Sequence, residues 1–224
     1  MFGTWVNTAT VTAGSLLGLV VGDRLPEKIK QSVFTALALV TLSIGVMLVI
    51  RGTRPLLIVG AIILGGITGE IIAIERRLER FGTWLQGIAR VGSGQFVRGF
   101  VTASLLFCVG PMTVVGSIQD GLSGDSTLLI TKSVMDGFAA LALAATTGIG
   151  VLFAAGTVLV IQGSLTLLSG WFSALTVPEA LNQLSAVGGL LILGLGIRML
   201  GLKDIPVANY LPALVFIAAA AVWL

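Results

Sequence analysis

An all-α, polytopic membrane fold follows from three features of this sequence. Hydrophobic residues fill 56% of the 224 positions and charged residues only 10%, against roughly 25% charged in a soluble domain. The apolar residues fall in runs of helical length, close to the roughly 20 residues needed to cross a hydrocarbon core of about 30 Å. Most of the Lys and Arg residues collect in the short gaps between those runs. Mean hydropathy is +1.06.

In lipid only helices and closed barrels satisfy their own backbone, and the run lengths select helices. The runs predict eight spans near 3–22, 33–50, 55–74, 96–118, 127–146, 149–169, 181–200 and 206–224, in a single transmembrane domain over 1–224. The first run has no basic segment ahead of it and a charged turn behind it, so it reads as a retained helix and not as a cleaved signal.

Basic residues favour alternate connections, the second holding only Arg51 and Arg54 and the fourth and sixth none. Arg24, Lys28 and Lys30 follow the first run, Arg76, Arg77, Arg80 and Arg90 the third, and Lys203 with Arg198 the seventh. The positive-inside rule then puts these connections in the cytoplasm and both termini outside it. Within 76–95, Leu78, Phe81, Leu85 and Ile88 recur at helical spacing, which predicts an amphipathic helix on the cytoplasmic interface with Trp84 at a suitable level. Thirty glycines predict close helix approach, and with the small size of the chain they suggest self-association, a dimer being the simplest form.

Composition also excludes. Without histidine there is no His-based zinc site, no His general base and no Ser-His or Cys-His dyad. The single cysteine, Cys108, lies in an apolar run and reads as a small hydrophobe. A net charge of +3 is accounted for by topology, so no nucleic-acid partner is expected. No nucleotide-binding G-x-x-x-x-G-K-[ST] motif occurs, and no cofactor or metal is expected.

Two echoes suggest internal repetition. VTAGSLL at 11–17 resembles VTASLL at 101–106, and KQSVFTALALVTLSIGV at 30–46 resembles KSVMDGFAALALAATTGIGV at 132–151. Spans one and two then echo four and five, three spans apart, which predicts an inverted repeat of spans 1–3 and 4–6. A competing echo, GSLLGLVVGDRL at 14–25 against GGLLILGLGIRML at 188–200, relates spans one and seven in the same orientation.

Chemistry concentrates between Phe96 and Gly137. Gly110-Pro111 falls mid-run, where proline removes a backbone donor and disfavours helix in the residue before it, so the helix breaks there. Asp136 lies nine residues into the fifth run, about 13 Å deep, and a carboxylate at that depth requires pairing, protonation or water. Lys132, one turn earlier, is its natural partner; a merely neutralising pair is the alternative reading. Gln119 and Asp120 close the fourth run, and Asp120 approaches Lys132 and Asp136 if the 111–137 segment dips as a hairpin. Glu70 sits toward the cytoplasmic end of the third run, within reach of Arg76 or Arg77. Asn7 and Gln162 are neutral polar groups that gain meaning only as members of one cluster.

The stretches FVTASLLFCVGPMTVVGSIQDGLSGD, KSVMDG, GIGVLF, QGSLTLL and LSAVGGLLILGLGIRMLGLKDIPVANYLPAL resemble the YqgA-like membrane protein family, domain of unknown function 554. The GTWVNTATVTAGSLLGL opening and GGITGE-IERRLER extend the resemblance over the whole chain. It implies a bacterial cytoplasmic-membrane protein and carries no biochemical activity with it. Pro111, in place of a small non-proline residue, and Arg198, in place of asparagine, depart from the family pattern.

Taken together the residues favour a small secondary transporter for an ion or small solute, with an ion channel as the near alternative. An intramembrane carboxylate enzyme using Asp120 and Asp136, or a non-transporting scaffold or sensor, are the readings from other classes.

Overall fold

The computed structural model describes residues 1–91, 95–171 and 177–223. All regular elements among the described residues are helical: α1 (Phe2–Gly22), α2 (Glu27–Val49), α3 (Pro55–Ile72), α4 (Ile74–Ala89), α5 (Phe96–Cys108), α6 (Pro111–Leu122), α7 (Thr127–Thr147), α8 (Gly150–Leu167), α9 (Pro178–Met199) and α10 (Pro212–Trp223). Four of them, α3, α6, α9 and α10, open on a proline, the position where its missing N–H costs nothing.

Among the described residues six helices are long and apolar enough to cross a membrane: α1, α2, α3, α7, α8 and α9. The fourth expected span is two helices, α5 and α6, bent by 58° at the break and together long enough to make a seventh. The eighth expected span, 206–224, is shorter than a span. Pro206 and Pro212 divide it into a 3₁₀ turn, Val207–Tyr210, and the 12-residue α10, about 18 Å of helix at 1.5 Å per residue. The amphipathic 76–95 connection is α4, which begins at Ile74 after Ala73 turns left-handed at φ 57°; residues 92–94 and Leu224 lie outside the described residues.

The helices meet where side chains are smallest. A methyl group on Gly14 or Gly18 of α1 would collide with the carbonyl oxygens of Gly137 or Leu141 on α7. The register, Gly3 on Leu129 and Gly22 on Ala145, makes α1 and α7 parallel. Gly189 and Gly196 of α9 pack on Gly45 and Leu42 of α2 in the antiparallel sense, as Gly65 and Gly69 of α3 pack on Ala213 and Asn209. The bent pair runs along α8, with Phe96 against Gly150, Ser104 bonded to Thr157 at 3.1 Å, and Gly121 against Thr166. Close backbone approach of this kind is what small residues supply where lipid removes the hydrophobic drive between helices.

One face of the bundle therefore holds Met1, the 50–54 turn and the 123–126 turn, and the opposite face holds Asp23, α4 and the 200–206 segment. The core between them is built from Phe96, Phe100, Phe107, Leu143, Val151 and their neighbours, all fully buried. Leu39, Leu56, Ile71 and Phe138 point outward and are exposed. On α4 only Glu75 and Gly82 are buried, while Phe81 and Trp84 stack with centroids 5.6 Å apart on its outer side.

Overpacking a tight crossing costs typically 1–3 kcal/mol or more. Gly18→Val, facing the Leu141 carbonyl, is expected to lose monodisperse protein in fluorescence-detected size exclusion, whereas Gly156→Ala, with open space around it, behaves as wild type.

Candidate functional site

The site begins with a missing hydrogen bond. In an uninterrupted helix the carbonyl of Phe107 would accept from the N–H of residue 111, and proline has none. Pro111 also drives Gly110 out of the helical region, to φ −68° and ψ 146°. Two side chains occupy the orphaned oxygen: Thr113 Oγ1 donates to it at 2.8 Å, and Lys132 Nζ donates at 2.8 Å.

Lys132 is thereby fixed, and it fixes Asp136. Their ion pair spans one turn of α7, as the i, i+4 spacing predicts. Asn7 Nδ2 on α1 donates to Asp136 Oδ2 at 3.0 Å. Lys132 and Asp136 are 6% and 8% exposed. What remains open faces a cavity of about 290 Å³ that also touches Gly110, Pro111 and Met112 at the break. Its walls are apolar, and its exposed rim, Val40, Met135 and Phe138, lies at mid-height on α2 and α7. An apolar chamber with a few convergent polar groups is the general form of a small-ligand site.

Asp120 is placed elsewhere. It accepts from the backbone N–H of Gly3 at 3.2 Å and from Ser126 Oγ at 2.7 Å, and pairs with the Met1 ammonium at 2.9 Å. It ties the start of α1 to the end of α6 and among the described residues has no bond to Lys132 or Asp136: α6 and α7 turn back on each other through 123–126, with Gly116 on Leu129, which leaves Asp120 at the Met1 face. Gln119 contributes only its carbonyl, to Ser123. In the same turn Asp125 accepts from the Thr127 amide at 3.0 Å, and the side-chain and backbone bonds of Thr127 hold its carboxyl below the usual carboxylate range.

Glu70 accepts from Asn209 Nδ2 at 2.6 Å and forms no ion pair with Arg76 or Arg77 among the described residues. Gly110 lines the cavity with open space around its Cα. Gln162 is fully buried on α8 near the start of α1, where Thr4 and Thr166 hydroxyls meet at 3.3 Å.

Sequence reasoning missed a further, half-buried ion pair. Arg198 near the end of α9 pairs with Glu75, with Asp204 at 2.9 Å and with Glu79 at 3.6 Å. Glu75 also accepts from the Ala208 amide at 2.8 Å, and Asn209 Oδ1 accepts from the Glu75 amide at 2.8 Å. The signal lay in sequence as a lone arginine at a helix end followed by the polar 203–209 segment, but nothing in it named Glu75 as the partner.

The family described as "Protein of unknown function (DUF554)" matches residues 2–222. The chain belongs to the DUF554 family. Among its DUF554 relatives, it is 34% identical to "Uncharacterized protein YqgA" of Escherichia coli (strain K12), over 96% of this chain and 93% of that one. It is 29% identical to "Uncharacterized membrane protein YdfK" of Bacillus subtilis (strain 168), again over 96% and 93%. No solved structure matches. With that relationship and its six long apolar helices, this DUF554 member is a multi-pass membrane protein.

Removing one partner of a buried ion pair costs about 3–5 kcal/mol, whereas replacing both with apolar groups is often near neutral. Asp136→Leu is therefore expected to lower the melting temperature in detergent strongly, and Lys132→Met combined with Asp136→Leu to restore most of it. A double variant melting as low as the single one would show that the two side chains are not energetically paired.

Proposed function

We propose that this protein is a small secondary transporter for an ion or small solute, with Lys132 and Asp136 as its charged site near the membrane midplane. The observation that carries the reading is the coincidence of three features at one point: a buried ion pair, a broken helix and a cavity. A pair that only joins helices needs neither of the other two. Ionisable groups within spans mark substrate and ion paths, and discontinuous helices that turn freed backbone toward a midplane site are a transporter device.

The chemistry follows from the bonds. Lys132 Nζ is shared between the Phe107 carbonyl and Asp136. A cation or proton reaching Asp136 replaces the ammonium there, and the carbonyl keeps Lys132 partnered while it does so. An anionic group entering the cavity is met by the same ammonium. The 58° bend makes Gly110-Pro111 the joint about which α6 can tilt, exposing the cavity toward the Met1 face. The opposed directions of α1 and the α5–α6 pair, and of α2 and α7, support an inverted repeat of spans 1–3 and 4–6 as the basis of that motion.

The Lys and Arg distribution supports both termini outside the cytoplasm and α4 on its inner interface, and the bacterial relatives support a bacterial cytoplasmic membrane as the setting. Labelling a Gln86→Cys variant lacking Cys108 is expected to succeed with impermeant reagent only from the cytoplasmic side; labelling from outside reverses the assignment.

Transport is tested in proteoliposomes with a panel of ions and small solutes under an imposed proton or sodium gradient. Wild type is expected to show saturable, gradient-driven uptake of at least one, and the folded Lys132→Met/Asp136→Leu variant to lose it by at least tenfold. Uptake at the wild-type rate by the double variant would make the pair purely structural.

A further inference from the structure

Buried polar atoms in folded proteins nearly always find a partner, and this interior leaves several without one among the described residues. They are Asn7 Oδ1, Ser15 Oγ, Ser117 Oγ and both amide atoms of Gln162. All four residues are 0% exposed.

Three of the four share one layer. The Thr4 and Thr166 hydroxyls meet at 3.3 Å, and Gly121 packs on the Thr166 carbonyl, so α1, α6 and α8 touch at that level. One helical turn further into the bundle along each helix stand Asn7, three residues from Thr4, Ser117, four from Gly121, and Gln162, four from Thr166. Residues three or four apart lie on one helix face, so all three keep the facing of the contact above them. Ser15 lies two turns further along α1 and outside the layer.

The oxygens that this register places at one level are of one kind. An asparagine oxygen, a serine hydroxyl and a glutamine oxygen are hard and uncharged, suited to alkali and alkaline-earth cations and not to soft metals. Two buried carboxylates at this end of the bundle are already neutralised: Asp136 holds Lys132 and accepts from Asn7 Nδ2 at 3.0 Å, and Asp120, three residues from Ser117, holds the Met1 ammonium at 2.9 Å. A layer with no net charge of its own suits a monovalent cation over a divalent one, whose burial needs direct carboxylate ligands.

We infer that Asn7 Oδ1, Ser117 Oγ and Gln162 Oε1 form a sodium-type alkali-cation site between α1, α6 and α8, one hydrogen bond away from Asp136. The site itself stands on its own geometry. Its coupling to the cavity rests on the transport reading above: a cation on Asn7 Oδ1 polarises the amide, strengthens the Nδ2–H bond to Asp136 and weakens the hold of that carboxylate on Lys132.

The test uses the full-length protein in detergent, with choline chloride replaced by NaCl or KCl at constant ionic strength. A ligand that binds only the folded state raises the melting temperature in a saturable way. Na⁺ is expected to do so, K⁺ less, and ²²Na⁺ in a scintillation proximity assay to bind at one ion per chain. Ser117→Ala with Gln162→Leu is expected to remove both responses while folding in choline. Equal melting in all three salts, absence of ²²Na⁺ binding to wild type, or a folded double variant with an unchanged Na⁺ response would each overturn the site. If the double variant fails to fold, ²²Na⁺ binding to wild type decides alone. Stoichiometric Na⁺ binding with no solute flux keeps the site and removes the transport reading, and flux without Na⁺ binding does the reverse.

Discussion

The polar interior of this protein depends on one carbonyl, that of Phe107. Pro111 deprives it of its helical donor, and in an apolar interior an unpaired carbonyl is costly enough that something must fill the place. A lysine fills it. The lysine in turn needs a counter-charge at that depth, which Asp136 supplies, and Asp136 needs a second donor, which Asn7 supplies from another helix. Each polar residue in this chain is present because the one before it is buried, and the chain of requirements runs across α5, α7 and α1.

The second ion pair shows how a different arrangement of the same residue types behaves. Arg198 is divided among Glu75, Glu79 and Asp204, and Glu75 is further held by the Ala208 amide. Asn209 bridges Glu70 and the Glu75 backbone. This network sits at the ends of α3, α4 and α9 and joins them to the segment before α10. It explains how α10, too short to span by itself, is anchored. The Lys132 pair, by contrast, lies in the middle of its helix beside a cavity and a break.

Close packing extends through the whole bundle. The α1–α7, α2–α9 and α3–α10 crossings are held by glycines set against backbone atoms, as Gly14 on Gly137 and Gly69 on Asn209, or against a leucine side chain, as Gly196 on Leu42. The α6 segment is only 12 residues long and starts at the break, where Gly110 has open space around it. Its far end is tied to the start of α1 through Asp120. Between these ends Gly121 packs on the Thr166 carbonyl of α8 and Gly116 on Leu129 of α7, so α6 is held along its length as closely as α1 is on α7.

How much of this was legible in the sequence differs from element to element, for physical reasons. Hydropathy acts along the chain, so the all-helical membrane class, the six long helices, the amphipathic α4 and the break at Gly110-Pro111 were all readable; so was the Lys132–Asp136 pair, because i, i+4 geometry is local. The shortened last helix was half-readable, since Pro206 and Pro212 mark its divisions but an apolar run masks them. Contacts between helices were not readable. Apolar faces match one another in too many registers for sequence to say that Asn7 meets Asp136, that Asp120 belongs to the start of α1 and not to the lysine, or that Glu75 meets Arg198. Those pairings were decided by which glycine faces which carbonyl, a question that exists only once the helices are packed. By itself the sequence determined a membrane-spanning helical protein with one broken, charged stretch; the tertiary structure alone decided which polar groups that stretch gathers around it.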